Sequence, residues 1–342
     1  MTLRFPAPLV PGDRLGVTAP SSGLPDRLRP RLEFAVRRLR DAGFDVVLGD
    51  CLGEGDGVVS APAADRAAEL SALLTDPAVR AVVAPWGGEL AVELLPHLDV
   101  AALTAADPTW LVGFSDLSTL LLPLTLRTGT ATVHAEMLLD TPYRVPAPLR
   151  SWLDVVTAPP GGPVEQGATT RHLRGHGPSW VRRPRATRRR YRARGSWRTL
   201  RPGPVHASGR LLGGCLDTVS TLAGTPWGDV PAFAAAEAPE GLIVYLDVAE
   251  HAAYDAARDL WRLRLAGWFD AATAVLVGRT AAPGSPHLDQ DDAVARVLGD
   301  LGVPVVLDVD LGHVPPQLAL VNGARAELVV DGGERRLTQW LG

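Results

Sequence analysis

No lysine occurs among the 342 residues; all 34 basic side chains are arginine. With abundant alanine, glycine and proline, this absence reads as the coding bias of a GC-rich genome and carries no mechanism. Cysteine is almost as scarce. Cys51 and Cys215 are too few for a disulfide framework and have no metal-ligand spacing, so each is expected to be a small buried hydrophobe. Long apolar runs are missing too: Arg, Asp, Pro or Gly interrupts each one before the roughly 18 residues that a membrane-spanning helix requires. The opening residues, Met1-Thr-Leu-Arg-Phe-Pro, contain no apolar core of the signal-peptide kind, which makes the cytoplasm the expected location.

What is present is enough to bury a substantial core. At 46% hydrophobic, a chain of this length suggests two domains more readily than one. The net charge of -4 conceals an asymmetry, because residues 171 to 201 hold twelve arginines and no Asp or Glu, leaving 22 basic against 38 acidic residues elsewhere.

Residues 1 to 150 alternate short β-rich runs with helical stripes, the pattern of a mainly parallel sheet with helices on its faces. Strands are expected at Leu15–Ala19, Phe44–Leu48, Val79–Ala84 and Trp110–Val112. Leu32, Ala35, Val36 and Leu39 form one helical stripe ending near Gly43, Asp65 to Leu74 a second. Residues 151 to 204 break this rhythm, with Pro159-Pro-Gly-Gly-Pro and then the arginine-rich stretch in which Trp180, Tyr191 and Trp197 are interleaved. This segment reads as an extended crossing or lid between domains. From 205 to 342, β-rich runs return at Leu242–Leu246, Ala274–Val277 and Val303–Leu307, with a helix expected from about Ala252 to Ala266.

The stretch Leu111-Val-Gly-Phe-Ser-Asp-Leu-Ser-Thr-Leu-Leu121 joins a buried strand to a helical leucine pattern, with Ser115 at the junction. A nucleophilic serine needs a position where Oγ projects, a base, and N–H donors for an oxyanion. The junction offers the first and the amide of Asp116 is suited to the third, although G-F-S-D lacks the second small residue of the G-x-S-x-G elbow. The plainer alternative is that Ser115 or Asp116 only caps a helix. A second strand-end turn, Pro85-Trp-Gly87-Gly88-Glu89, permits close backbone approach, so Gly87 or Gly88 is a candidate for a second oxyanion donor or a substrate contact. A helical pattern follows at Leu90, Leu94 and Leu95.

Among eight histidines, His97, His172, His176, His206, His251 and His287 read as surface, loop or helix residues. His134, after Thr132-Val133, ends a short strand and is harder to dismiss. His313 stands apart, on a strand-end loop stiffened by Pro315 and Pro316. A catalytic imidazole also needs a carboxylate to fix its tautomer. Asp247, at the end of a buried strand, is the leading candidate; the alternative is a helix cap there, with Glu250 in a capping box.

Nine stretches in order now carry a resemblance, among them "VTAPSSG" at 17 to 23, "DRAAELSALLTDPAVRAVVAPWGGE" at 65 to 89, "VGFSDLSTL" at 112 to 120, "GRLLGGCLDTVSTLAGTPW" at 209 to 227, "IVYLDVAE" at 243 to 250 and "LGHVPPQLALVNGARAEL" at 311 to 328. Over nearly its full length the chain resembles the LD-carboxypeptidase and microcin C immunity family of serine peptidases. The resemblance implies a two-domain α/β fold, an N-terminal Rossmann-like parallel sheet carrying Ser115 and a C-terminal α/β domain carrying Asp247 and His313, with the site at their interface. It implies a homodimer and neither metal nor organic cofactor.

The family's Ser-Glu-His triad maps onto Ser115, Asp247 and His313, with Gly88 and Asp116 as oxyanion donors. Asp in place of Glu is shorter by one methylene, roughly 1.5 Å, so either the backbone approaches the imidazole or the hydrogen bond weakens. A relative that binds and sequesters its ligand without cleaving it is the corresponding alternative.

The central loop and "GGC" at 213 to 215 look more like the microcin-immunity branch, which cleaves an aminoacyl-nucleotide amide, than the branch that trims D-alanine from murein tetrapeptides. For the arginine-rich stretch the favoured reading is that it lies against the protein's own acidic surface or is solvated. Covering a nucleotide-like substrate through Trp180 or Trp197 comes second, and nucleic-acid binding third.

Overall fold

The alternation of strand and helix in the first 150 residues gives parallel pairing, because each strand re-enters the sheet only after a helical crossover. In the computed structural model, which describes residues 2–175 and 177–342 and so leaves His176 outside, the strands Asp45–Leu48, Arg14–Val17, Val79–Val83, Trp110–Gly113 and Thr132–His134 lie in a sheet, ordered as given and all parallel. The helix Arg29–Asp41 buries Leu32, Ala35, Val36 and Leu39 on one stripe, and Gly43 follows with a φ of +96°. The helix Ala63–Thr75 buries Leu70 and Leu74. After the Gly87-Gly88 turn the expected helix is instead a 3-10 helix, Ala91–His97; Pro96 within it has no N–H to continue an α-helical ladder.

The helix Ser118–Thr128 is buried at every position except Arg127. It packs against the strands of the first sheet on one side and the strand Val205–Cys215 on the other. That strand belongs to a second sheet of eight strands, where it pairs in parallel with Leu242–Asp247 and antiparallel with Arg325–Asp331. Ala272–Gly278 and Val305–Val309 continue the parallel part. The helix Ala253–Leu265 matches the expected one to within a residue at each end.

The segment expected as a crossing contributes both edges of this sheet. Pro163–Gly167 pairs with Glu334–Trp340, and Arg198–Thr199 pairs with Val305–Val309 at the opposite edge. Between them Arg171–Leu173 and Tyr191–Arg194 form a separate two-stranded ribbon. Among the described residues no helix is long and apolar enough to cross a membrane.

The C-terminal unit lends a strand to the first sheet. Leu320–Asn322, from the C-terminal part, pairs antiparallel with Thr132–His134 and closes the edge of the first sheet. Asn322 fastens this junction: its Oδ1 accepts from Gly213 N at 3.1 Å and Tyr245 Oη at 2.7 Å, and its Nδ2 donates to Thr132 Oγ1 at 3.2 Å. All of these groups are buried, so removing the amide takes the acceptor from Gly213 N and Tyr245 Oη, while Thr132 Oγ1 keeps Leu121 O and Thr125 Oγ1. The Asn322→Leu variant is therefore expected to lose about 2–4 kcal/mol of stability, measured as a fall in the denaturation midpoint at constant slope; an unchanged midpoint would contradict this account of the junction.

Candidate active site

Ser115 is the half-exposed residue in an otherwise buried run from Leu111 to Ser118. Phe114 remains extended, Ser115 turns to a φ of +60°, and a 3-10 helix, Ser115–Leu117, begins there. Positive φ is uncommon for a residue with a side chain, and here it lifts Oγ away from the strand axis. The absence of a side chain at Gly113 permits the turn, since a Cβ there would lie 2.9 Å from Leu117 Cβ.

The carboxylate of Asp116, as well as its amide, shapes the site. Fully buried, Asp116 Oδ2 accepts from Ser21 Oγ at 2.5 Å and from Ala91 N at 2.7 Å. It thereby fastens the ends of the Gly87-Gly88 turn and the Pro20–Gly23 turn to the serine elbow. Arg66, also fully buried, reinforces the same place by donating to Pro20 O at 2.8 Å, to Leu90 O at 3.2 Å and to Glu93. Neither role was visible in the local sequence around either residue.

Gly87 lies directly over the serine. A Cβ there would sit 3.3 Å from Ser115 Oγ and 3.6 Å from Asp116 N, so its hydrogen keeps open the space between hydroxyl and amide. Gly88, at a φ of +155°, is pressed against Ser21 and Ser22, where a Cβ would approach both hydroxyl oxygens to 2.3 Å.

The C-terminal unit brings His313 and Asp247 to this elbow. His313 Nε2 is 2.8 Å from Ser115 Oγ, and His313 Nδ1 is 2.6 Å from Asp247 Oδ2. The missing methylene is thus made up by backbone approach. A Cβ on Gly312 would lie within 2.2–2.3 Å of the Asp247 side chain, and one on Gly278 within 2.9 Å of Asp247 Cβ. Capping is not what Asp247 does: Asp217 accepts the amides of Ala249, Glu250 and His251 at 2.8–3.1 Å, and the helix beginning at Ala253 has no side-chain cap.

Burial by itself would push the Asp247 carboxyl up, but the charge and hydrogen bond of His313, helped by His134, hold it well below the usual carboxylate range. For His313, burial opposes the imidazolium, yet Asp247, with Asp217 and Glu250 beyond, outweighs it and raises the pKa above its ordinary 6.5.

The serine and histidine open into a cleft of ≈ 440 Å³, walled also by Trp86, Glu89, Asp217, Glu250 and His251. Two other concavities of similar or larger volume, ≈ 460 Å³ and ≈ 670 Å³, contain neither Ser115 nor His313. The ligating atoms of Cys215, Asp247 and His313 lie within 4.8 Å of one another, a proximity that the His313–Asp247 hydrogen bond largely accounts for.

Two expected substrate contacts lie elsewhere. Trp197 is buried at 1% exposure and donates from Nε1 to Asp310 Oδ2 at 2.9 Å, so it offers no face to a ligand. Its partner Asp310 also accepts from Thr169 N and Arg279 Nη1 and anchors, through its carbonyl, the loop that carries His313. Trp180 donates to Tyr143 Oη at 3.1 Å, packs against the N-terminal core and does not line the cleft. The aromatic that does is Trp86, whose Nε1 donates to Ser22 O at 3.0 Å.

Parts of the arginine-rich stretch lie on the protein's own acids: Arg189 pairs with Glu136 and Asp140 under Tyr143, and Arg198 with Asp291 and Asp308. Arg182, Arg183, Arg185, Arg188, Arg190, Arg192 and Arg194 are exposed.

A strand-end serine, a histidine and a carboxylate across a domain cleft define a serine-hydrolase type of arrangement. Residues 15–135 match the LD-carboxypeptidase N-terminal domain and residues 208–328 the C-terminal domain of the same family. The chain belongs to the LD-carboxypeptidase family of serine peptidases. A Streptomyces coelicolor relative is 33% identical over 96% of this chain and 94% of its own length. The microcin C7 self-immunity protein MccF of Escherichia coli is 24% identical over 97% of this chain and 95% of its own, and the murein tetrapeptide carboxypeptidase of Pseudomonas aeruginosa 25% over 94% of each. The solved structure of MccF with glutamyl sulfamoyl guanosine superimposes at a TM-score of 0.81 with 22% identity, covering 98% of both chains. At that identity the likeness establishes the two-domain α/β fold.

The raised pKa of His313 has a kinetic sign. Its imidazolium persists above pH 6.5 and cannot accept a proton, so fluorophosphonate labelling of Ser115 is expected to rise with pH along a limb centred above 6.5; a midpoint at or below that value would contradict the assigned environment. Restoring the family's acid is not expected to help. With Gly312 already against Asp247, the Asp247→Glu variant should slow labelling at least about tenfold and cost about 1–3 kcal/mol in stability; faster labelling would show that the shorter acid is a defect.

Proposed function

We propose that the chain is a serine amidase of the microcin-immunity type, cleaving the amide between an aminoacyl group and a nucleotide-like leaving group through an acyl-enzyme. The observation that carries this reading is the continuous hydrogen-bonded chain from Ser115 through His313 to Asp247, at 2.8 Å and 2.6 Å, opening on the interdomain cleft. Ser115 Oγ attacks the carbonyl as His313 Nε2 takes its proton, and Asp247 stabilises the imidazolium formed. The amides of Asp116 and of the Gly87-Gly88 turn receive the oxyanion. His313 then returns the proton to the leaving nitrogen, and a water activated by the same imidazole releases the acyl group.

Charge favours this substrate over a murein tetrapeptide. Among the described residues lining the cleft there is no arginine, whereas Glu89, Asp217 and Glu250 are acidic. Both leaving groups are anionic beside the scissile bond, so the difference lies on the acyl side, where an aminoacyl group carries an α-ammonium that such walls attract. Trimming of murein tetrapeptides is the second reading, supported by the relatives that bear that name. The sequestering alternative loses its motive, since the shorter acid still reaches His313 at 2.6 Å.

The test offers an aminoacyl-sulfamoyl adenosine and a murein tetrapeptide to the same enzyme, with products followed by mass spectrometry. The nucleotide substrate is expected to be cleaved faster, and Ser115→Ala should lower kcat by roughly 10³-fold or more. Preferential release of D-alanine would replace the substrate assignment, and tight binding without product in a single turnover would favour sequestration.

A further inference from the structure

One buried histidine has no part in the chain of proton transfer just described. His134 ends the strand Thr132–His134, where its backbone is paired in register with Gly113 on one side and Leu320 on the other. Its side chain is 0% exposed. The ring lies edge-on to Phe114, with centroids 6.1 Å apart, and to Tyr245 at 5.3 Å. Neither ring nitrogen has a hydrogen-bond partner within ordinary limits.

In such a pocket a phenylalanine or leucine would avoid the desolvation of two ring nitrogens. The polar atom that His134 does approach is the second oxygen of the candidate catalytic acid: Nε2 is 3.5 Å from Asp247 Oδ1, and that oxygen is itself buried without a hydrogen-bond partner. Asp247 therefore lies between two imidazoles, His313 on Oδ2 at 2.6 Å and His134 on Oδ1.

The other groups near the carboxylate do not supply this contact. Tyr245 donates its hydroxyl to Asn322. Cys215, in register beside Asp247 on the neighbouring strand, makes no hydrogen bond to Oδ1, which has no partner within ordinary limits.

We propose that His134 is a positioning residue, whose Nε2–H faces Asp247 Oδ1 and fixes the carboxylate so that Oδ2 stays on His313. The inference rests on the reading of Ser115, His313 and Asp247 as the working triad. Rotation of the carboxylate about Cβ–Cγ moves Oδ2 off the imidazole. A donor on the opposite oxygen restrains that rotation. Closing 3.5 Å to a normal N–H···O distance requires a shift of about half an ångström.

Glutamine and methionine test this, because both approximate the reach and volume of histidine and glutamine alone can donate. His134→Gln is expected to keep kcat within about threefold of the parent, while His134→Met should lower it about tenfold or more, with KM within about twofold in both. His134→Phe, which keeps the stacking on Phe114 and Tyr245 without a donor, replaces the methionine variant if that fails to fold. A second readout needs no substrate: in ¹⁵N-histidine-labelled protein, the downfield Nδ1 proton resonance of His313 should persist in the glutamine variant and broaden or move upfield in the variant without a donor. Identical resonances in both would overturn the inference whatever the enzyme cleaves. Different resonances with no turnover of any aminoacyl-nucleotide would instead leave the inference standing and remove the functional reading.

Discussion

The buried carboxylate of Asp247 is the constraint on which the arrangement depends. An unpaired ionised acid in a protein interior is too costly to persist, so its surroundings must supply compensating partners. Here the hydrogen-bonded partner is His313 on a loop, His134 on the first sheet lies 3.5 Å from the other oxygen, and Gly278 and Gly312 have no Cβ to hold the acid away. An acid shorter by a methylene still reaches His313 at 2.6 Å, with the backbones of Gly278 and Gly312 packed closely against it.

That closeness requires the two units to be locked together. The strand Leu320–Asn322 follows the His313 loop and completes the sheet that carries Ser115, so the histidine and the serine are held by one continuous hydrogen-bonded edge. Asn322 ties this edge to Gly213 and Tyr245 of the second sheet. The Ser115 elbow is held equally firmly from its own side, through Asp116, Ser21 and Ala91. Strain at a positive-φ serine is sustained where the neighbourhood over-determines it, and this neighbourhood does. The arginine-rich stretch is partly absorbed into the same framework: Leu173 donates its amide to Pro315 O, two residues beyond His313.

Ser115 was legible because a strand, a tight turn and a helical leucine stripe are adjacent in the chain. The helix Ala253–Leu265 and most parallel strands were legible for the same reason, their periodicity being a property of neighbouring residues. The helix expected after Gly88 tightened to a 3-10 turn over a segment containing Pro96. Trp197 shows the limit more sharply. An interleaved tryptophan in a basic stretch suggests a stacking surface, but its indole N–H is satisfied by Asp310, a residue 113 positions away.

The sequence by itself determined the family and the alternation that makes the first sheet parallel, and it nominated the serine, histidine and acid of the proposed triad, since each is written in short ordered stretches. Only the tertiary structure decided that Asp247 binds the imidazole and leaves capping to Asp217, that Trp86 walls the cleft in place of Trp180 and Trp197, and that His134 lies against the acid's free oxygen. The reason is physical: strand and helix propensities are set by near neighbours, whereas the partner of a buried polar group is chosen by whichever distant segment the packing brings within 3 to 4 Å of it.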